Sequence, residues 1–175
     1  MTPFLPLETE RLRLRPWRVS DAAVSRELWA ERDPRVPPHR RLDAQGHPTL
    51  AELETSIRDM PPPDRIGLLV VESRERCEVL GYCGLISSTL LPQDEPELAY
   101  ELLRRHQGRG CATEAAQAVL DWARSSGHPR LWATVRDWNE ASLRVLQKLG
   151  FERTARVEPD PVHGDSLFLA RGMAP

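Results

Sequence analysis

Hydrophobic and polar positions at the start of the chain alternate and then change period. Within residues 7–17, Leu12 and Leu14 alternate with arginines, which is the two-residue period of a β-strand, and Pro16 ends it. A Ser-Asp pair at 20–21 then marks a helix start. The inward positions of that helix are expected to be Val24, Leu28 and Trp29.

The middle of the chain predicts a helix followed by a hairpin. Residues 33–63 are rich in proline and arginine and give no clear period, with His39 and His47 expected as exposed loop residues. Thr49 to Met60 favours a helix. Its inward positions are expected to be Leu50, Leu53 and Ile57. The hairpin consists of strands Ile66–Glu72 and Glu78–Ser87, and its Gly81 and Gly84 indicate a close backbone approach or a bulge.

A strand, a glycine turn and a helix follow over residues 97–123. The strand begins at Glu97, and the turn carries Gly108 and Gly110. The apolar spacing after the turn is that of one helix face, formed by Ala112, Ala115, Ala116, Val119, Leu120 and Ala123. Leu131–Arg136 alternates again, so strand, helix and strand predict a right-handed parallel crossover.

The C-terminal part predicts a short helix between strands. Asn139 suits an N-cap, and Gly150 suits the left-handed residue that ends a helix. The inner face is expected to consist of Ser142, Val145, Leu146 and Leu149. Strands at 151–157 and 166–170 then complete the sheet.

Length, net charge and cysteine content limit the classes of protein to which this chain can belong. A length of 175 residues suggests one domain, and a formal net charge of −2 without runs of one sign does not indicate nucleic-acid binding. Lys148 is the single lysine. The three cysteines, Cys77, Cys83 and Cys111, have no metal-ligand or disulfide spacing and suit a reducing cytoplasm. No membrane span or export signal is apparent.

The glycine turn has the chemistry of an anion site. Glycines permit positive φ, so that several N–H groups can point at one ligand, and the following helix start adds partial positive charge. Three arginines at 104, 105 and 109 are expected to surround it. Two well-known phosphate motifs fit badly, because Thr113 replaces the third glycine of a dinucleotide fingerprint and no Gly-Lys pair makes a P-loop.

Three segments resemble one family. Arg105-x-x-Gly108-x-Gly110 resembles the pyrophosphate loop of the GNAT superfamily of acyl-CoA-dependent N-acyltransferases, and Asn139-x-x-Ser142 through Lys148-Leu-Gly-Phe resembles its second cofactor motif. The opening at residues 7–22 resembles the Rim-type subgroup, which acetylates protein N-termini. The resemblance implies a single α/β domain over residues 1–175. Its sheet is strongly bent and mostly antiparallel, with one splayed parallel pair and flanking helices.

The same resemblance implies acetyl-CoA as cosubstrate and assigns its contacts. Backbone groups of Leu102 and Leu103 would pair with the pantetheine amides, Asn139 would hold pantetheine, and Ser142 would lie near the sulfur. The pyrophosphate loop carries Arg105, Gln107, Gly108, Arg109, Gly110, Cys111 and Ala112, with the amides of 107–112 as donors. Metal ligands are not expected.

Catalysis in this family needs a base for the amine and an acid for the thiolate. Strand alternation places Glu97 and Glu101 on one face; Glu97 is the candidate base and Glu101 the fallback. Ser142 is the candidate acid, although many relatives use a tyrosine and no tyrosine follows Gly110. Cys111 is expected to pack rather than to act as a nucleophile.

The expected function is transfer of an acetyl group to a primary amine, either a peptide N-terminal α-amine or a small-molecule amine. Two alternatives stay open at this point: a sensor that binds acyl-CoA without turnover, and an interaction domain whose loop binds another phosphate. The acceptor is expected to contact residues 33–64 and 153–166. A homodimer and a cytoplasmic location are further expectations.

Overall fold

The computed structural model describes residues 6–173, which form one eight-stranded sheet and four α-helices. The strands are β1 (Leu7–Glu8), β2 (Leu12–Arg15), β3 (Gly67–Ser73), β4 (Val79–Ile86), β5 (Glu97–Leu102), β6 (Arg130–Arg136), β7 (Glu152–Glu158) and β8 (Ser166–Gly172). The helices are α1 (Ala22–Glu31), α2 (Leu50–Arg58), α3 (Cys111–Ser125) and α4 (Glu140–Lys148).

The strand order is β1-β2-β3-β4-β5-β6-β8-β7, and neighbouring strands are antiparallel except for β5 and β6. This confirms the predicted mixed α/β fold and its single parallel pair. The two hairpin glycines mark close backbone approaches, as predicted. A Cβ on Gly84 would lie 2.1 Å from the Gly67 carbonyl oxygen, and one on Gly81 would lie 2.1 Å from that of Glu101.

The parallel strands β5 and β6 touch only at one end. Their register has a single pair, Glu97 with Trp132, and the Trp132 amide donates to the Pro96 carbonyl at 3.0 Å. Beyond that pair the two strands form no ladder, so the polar edge of β5 faces an opening toward its C-terminal end. The predicted splayed pair is therefore present.

Helices cover both faces of the sheet. The predicted inner face of α3 is confirmed, since five of its positions are 0% exposed: Ala115, Ala116, Val119, Leu120 and Ala123. Helix α4 packs beside α3 through Leu146 and Leu149. A second cluster joins α1 and α2 through Ala22, Leu53 and Ile57, with Trp17 and Trp29 packed against it.

One sequence prediction about these elements was wrong, and one short strand was not predicted. The predicted opening strand is confirmed as β2. The additional strand β1 forms because Thr9 turns the chain: its amide donates to the Leu12 carbonyl at 2.9 Å, and β1 folds back on β2. Leu50 does not face inward but is 42% exposed, since it is the first residue of α2, immediately after the N-cap Thr49. No helix within residues 6–173 is long and apolar enough to cross a membrane.

Candidate active site

The turn after β5 presents a row of backbone donors. Gly108 and Gly110 have φ of +73° and +78°, and α3 begins at Cys111. Glu114 is the first residue of this segment whose amide finds a helical acceptor, the Gly110 carbonyl at 3.0 Å. The amides of residues 108–113 have no acceptor within residues 6–173. This donor row is the arrangement expected of an anion site at a helix N-terminus.

The space beside Gly108 is open. A Cβ on Gly108 would meet no heavy atom within 4 Å, so a ligand can approach the backbone there. The predicted set of donors needs one correction, because the Gln107 amide already donates to the Arg104 carbonyl at 3.2 Å. The available amides are therefore those of 108–113, including Cys111, Ala112 and Thr113, rather than those of 107–112. The Cys111 thiol itself is buried in the core.

The arginines around the turn differ from the prediction. Arg104 and Arg105 turn toward α1, where the guanidinium of Arg104 donates to the Glu31 carbonyl and that of Arg105 pairs with Glu27. These cations are held by α1 instead of surrounding the turn.

Two other arginines lie at the turn. Arg109 has no side-chain partner within residues 6–173. Arg11, which directly precedes β2, reaches the turn, with Nη1 donating to the Arg109 carbonyl at 3.0 Å. An ion pair of 2.6 Å with Glu114 fixes Arg11 there.

The edge of β5 that faces the opening carries the groups available to pantetheine. The Leu103 amide donates to the Leu80 carbonyl in β4 at 2.9 Å, and the Leu103 carbonyl accepts from the His106 amide at 2.8 Å. Leu103 is therefore not supported as a pantetheine contact. Backbone groups alternate in direction along a strand, so those of Tyr100 and Leu102 point into the opening. The Leu102 carbonyl accepts from Gln107 Nε2 at 2.8 Å, which orients that side chain beside the opening.

The start of α4 lies on the other side of the opening. Asn139 is the predicted N-cap: its Oδ1 accepts from the Ser142 amide at 3.1 Å. The Asn139 Nδ2 and the Ser142 hydroxyl have no partners within residues 6–173. Both groups can therefore bind a cofactor while the cap remains intact.

Glu97 lies where β5 and β6 meet. Its Oε1 accepts from the Thr134 amide of β6 at 3.0 Å, so the carboxylate spans the narrow end of the opening. Burial raises the pKa of Glu97 above its ordinary value, and the Thr134 hydrogen bond and the charge of Arg40 oppose that rise. A carboxylate whose pKa is raised by burial is a stronger base than an ordinary glutamate, which suits a proton acceptor.

Glu101 shares the strand face of Glu97 but has different partners. Arg32 binds it through Nε and Nη2 at 2.8–3.1 Å, and the Tyr82 hydroxyl donates to it at 3.0 Å. Trp29 stacks under Arg32, with the guanidinium 4.1 Å from the ring centroid. The lone pairs of Glu101 are engaged, which makes this carboxylate a structural anchor between β5 and α1.

Tyr100 is a candidate proton donor that the sequence patterns did not indicate. Its ring packs against the core on the α3 side, and its hydroxyl donates to the Ser142 carbonyl at 3.2 Å. Burial raises the pKa of Tyr100 to about 12, so it keeps its proton at neutral pH. Strand alternation puts Tyr100 on the face opposite Glu97 and Glu101, and no local signal shows that its hydroxyl reaches α4.

The family comparison agrees with this geometry. The sequence model of the acetyltransferase (GNAT) domain matches residues 11–152 of this chain. A Bacillus licheniformis protein named uncharacterized N-acetyltransferase p20 is 30% identical over 151 residues, which are 84% of this chain and 82% of that protein.

The fold of this chain is also similar to those of solved acetyltransferase structures. YncA from Salmonella typhimurium, solved with its cofactor acetyl-CoA, has a TM-score of 0.66 and 22% identity over 93% of this chain and 94% of that chain. RimL, a ribosomal L7/L12 alpha-N-protein acetyltransferase solved with coenzyme A, has a TM-score of 0.71 and 17% identity over 96% and 98%. At identities of 22% and 17%, the similarity to these two structures is evidence for a shared fold alone.

The fold and the site define an acyl-CoA-dependent acyltransferase. The chain belongs to the GNAT family of acetyltransferases. It is an N-acetyltransferase, and acetyl-CoA is its acyl donor. These findings give no support to a sensor without turnover.

Proposed function

We propose that this enzyme acetylates primary amines by direct attack in a complex that holds both substrates. The observation that carries the proposal is the opening between β5 and β6. One side of it has the free amides of residues 108–113, and its narrow end has the half-buried Glu97. Acetyl-CoA supplies a thioester whose acyl carbon accepts the amine. The acceptor reaches that carbon from the sheet face that carries Glu97, Tyr82 and α1.

Glu97 removes the proton that the amine must lose. As the C–N bond forms and the C–S bond breaks, one proton leaves nitrogen and one proton is needed at sulfur. Glu97 in its carboxylate form takes the first directly or through water. The second comes from Tyr100 or Ser142, whose hydroxyls lie at the start of α4.

The acceptor class that suits this site is an α-amine rather than a lysine side chain. At about pH 7.4, an α-amine with a pKa near 7.8 is roughly 30% free base, and a lysine with a pKa near 10.4 is about 0.1%. Because the described site offers one unpaired carboxylate as base, the amine that loses its proton more easily is the better acceptor. The Rim-type opening and the fold likeness to RimL, an alpha-N-protein acetyltransferase, support the same class. A cytoplasmic location and a homodimer stay predictions.

An acceptor screen tests this proposal. Coenzyme A thiol release is measured with peptides that have free or blocked N-termini, free amino acids, polyamines and aminoglycosides, and products are identified by mass. We expect acetylation of free α-amines at kcat/KM values at least about tenfold above those of internal lysines, given the difference in free-base fraction. A preference for internal lysines on blocked peptides would contradict the acceptor class.

A further inference from the structure

The acceptor face of the sheet is rich in charge, but most of it is already paired. Arg32 pairs with Glu101 at 2.8 Å, and Arg136 of β6 pairs with Asp160 at 3.1 Å. Both pairs are largely shielded, because the side-chain exposures are 12% and 22% for the first pair and 19% and 28% for the second. A polycationic acceptor therefore finds few free carboxylates on this face.

The loop between α1 and α2 covers one side of this face. Arg35 pairs with Asp33 at 2.8 Å and stacks over Trp138, with its guanidinium 4.1 Å from the ring centroid. Trp138 lies in the connection between β6 and α4, and its Nε1 donates to the His163 carbonyl at 2.7 Å. These contacts hold the loop between α1 and α2 against the C-terminal end of β6, next to the opening between β5 and β6.

Arg40 is not paired in this way, and the adjacent Arg41 has a buried Nε without a hydrogen-bond partner within residues 6–173. The backbone of Arg40 is held at the Glu101 cluster, because its carbonyl accepts from Arg32 Nη1 at 3.0 Å. Its guanidinium is exposed and has no hydrogen bond or ion pair within residues 6–173. Because Arg32 also binds Glu101, the bond from Arg32 fixes the Arg40 backbone beside the strand face that Glu101 shares with Glu97. The positive charge of Arg40 lowers the pKa of Glu97, against the effect of burial.

We propose that Arg40 binds a carboxylate of the acceptor, so that the preferred acceptor is a primary amine with an anionic group close to it. The inference rests on the proposed transferase function and narrows its substrate class. The same chemistry has two sources: the α-carboxylate of a free amino acid, or an acidic side chain near the N-terminus of a peptide. An unpaired guanidinium beside the site attracts such a group and orients the amine toward Glu97.

The test compares acceptors that differ only in charge. Gly-Asp-amide is compared with Gly-Asn-amide for the peptide source, glycine with glycinamide for the amino-acid source, and spermidine serves as the polycation. Each is assayed by thiol release and product mass with the parent enzyme and with Arg40→Ala, Arg40→Lys and Arg40→Glu. Arg76→Ala is the matched control, because it removes an exposed guanidinium in the turn between β3 and β4 that has no hydrogen bond or ion pair within residues 6–173. Melting temperatures show that each variant is folded.

We expect the parent to prefer at least one anionic acceptor over its neutral partner by about tenfold, the effect of about 1.4 kcal/mol. Arg40→Ala should abolish that preference, Arg40→Lys should restore part of it, and Arg76→Ala should leave it unchanged. Whichever pair shows the preference identifies the source of the carboxylate. Efficient acetylation of neutral amines or spermidine, with no preference for charge that depends on Arg40, would overturn this inference but leave the transferase proposal intact. Absence of thiol release with every amine would instead overturn the transferase proposal and this inference with it.

Discussion

Glu97 and Glu101 lie on the same side of β5, yet their neighbours give them different chemistry. Arg32 and Tyr82 occupy the oxygens of Glu101, while Glu97 accepts one amide hydrogen bond and keeps further lone pairs available. The strand period predicted the shared face. It could not predict the partners, because Arg32 lies 69 positions away in the chain.

The pH dependence of Glu97→Gln tests its role as base. The pKa of Glu97 is raised, so its basic form accumulates at a higher pH than that of an ordinary glutamate and is lost as the pH falls through that value. On one peptide acceptor, the substitution should lower kcat/KM about 100-fold near pH 6.5, where the amine is protonated, with a smaller loss above about pH 8. A ratio of parent to variant that stays constant across pH would remove Glu97 as base.

Tyr100→Phe separates a proton donor from a packing residue. The phenylalanine keeps the ring in the core and removes the hydroxyl that contacts the Ser142 carbonyl. We expect kcat to fall by about tenfold or more with the KM for acetyl-CoA nearly unchanged, and a stability loss of about 1 kcal/mol for the hydrogen bond. Ser142→Ala is the comparison. If Ser142→Ala lowers kcat and Tyr100→Phe does not, the serine is the proton donor.

At the scale of elements, the site is built from two helix starts that face one opening between strands. The sequence predicted both starts, because glycines at 108 and 110 and an asparagine at 139 are local signals. The arginines were harder to predict. Arg104 and Arg105 are adjacent to the turn in sequence. In the structure, Arg104 donates to the Glu31 carbonyl and Arg105 pairs with Glu27, both in α1. These contacts depend on how α1 packs against the sheet, which no local pattern shows.

Gly108→Asp tests the α3 start. An added carboxylate at the free amides should repel a pyrophosphate, and calorimetry should show coenzyme A binding weakened at least about tenfold, equivalent to about 1.4 kcal/mol. Gly127→Asp is a matched control, since Gly127 follows the other end of α3 with φ of +78° and no heavy atom within 4 Å of an added Cβ. Equal effects of the two substitutions would mean that charge or strain in general, and not the 108–113 turn, explains the loss.

Asn139→Ala tests the α4 start in the same way. Loss of the cap should reduce the free energy of unfolding by about 1 kcal/mol. Because Asn139 also faces the opening, the apparent KM for acetyl-CoA should rise. Thr49→Ala removes the corresponding cap of α2, where Thr49 accepts from the Glu52 amide, and should cost similar stability without changing KM. If both variants change stability alone, Asn139 is a structural cap only.

At the scale of the whole molecule, the order of elements could be predicted and the tertiary side-chain network could not. Strand and helix periods gave the crossover from β5 through α3 to β6, and the family resemblance implied that this pair is splayed. Residues 33–48 gave no period because their order comes from contacts made elsewhere, such as Arg35 with Trp138 and the Arg40 carbonyl with Arg32. Those contacts now bring this segment to the acceptor side of the site.

Hydrogen exchange measured by mass spectrometry, with and without saturating coenzyme A, tests the central claim most directly. The claim is that the free amides at the start of α3 and the open edge of β5 bind the acyl-CoA. Amides without acceptors exchange readily, so peptides covering residues 108–113 should gain strong protection on binding, with a smaller gain at 100–102. The turn after α3, at residues 126–129, should not change. Coenzyme A binding that leaves the exchange of residues 108–113 unaltered would contradict the account.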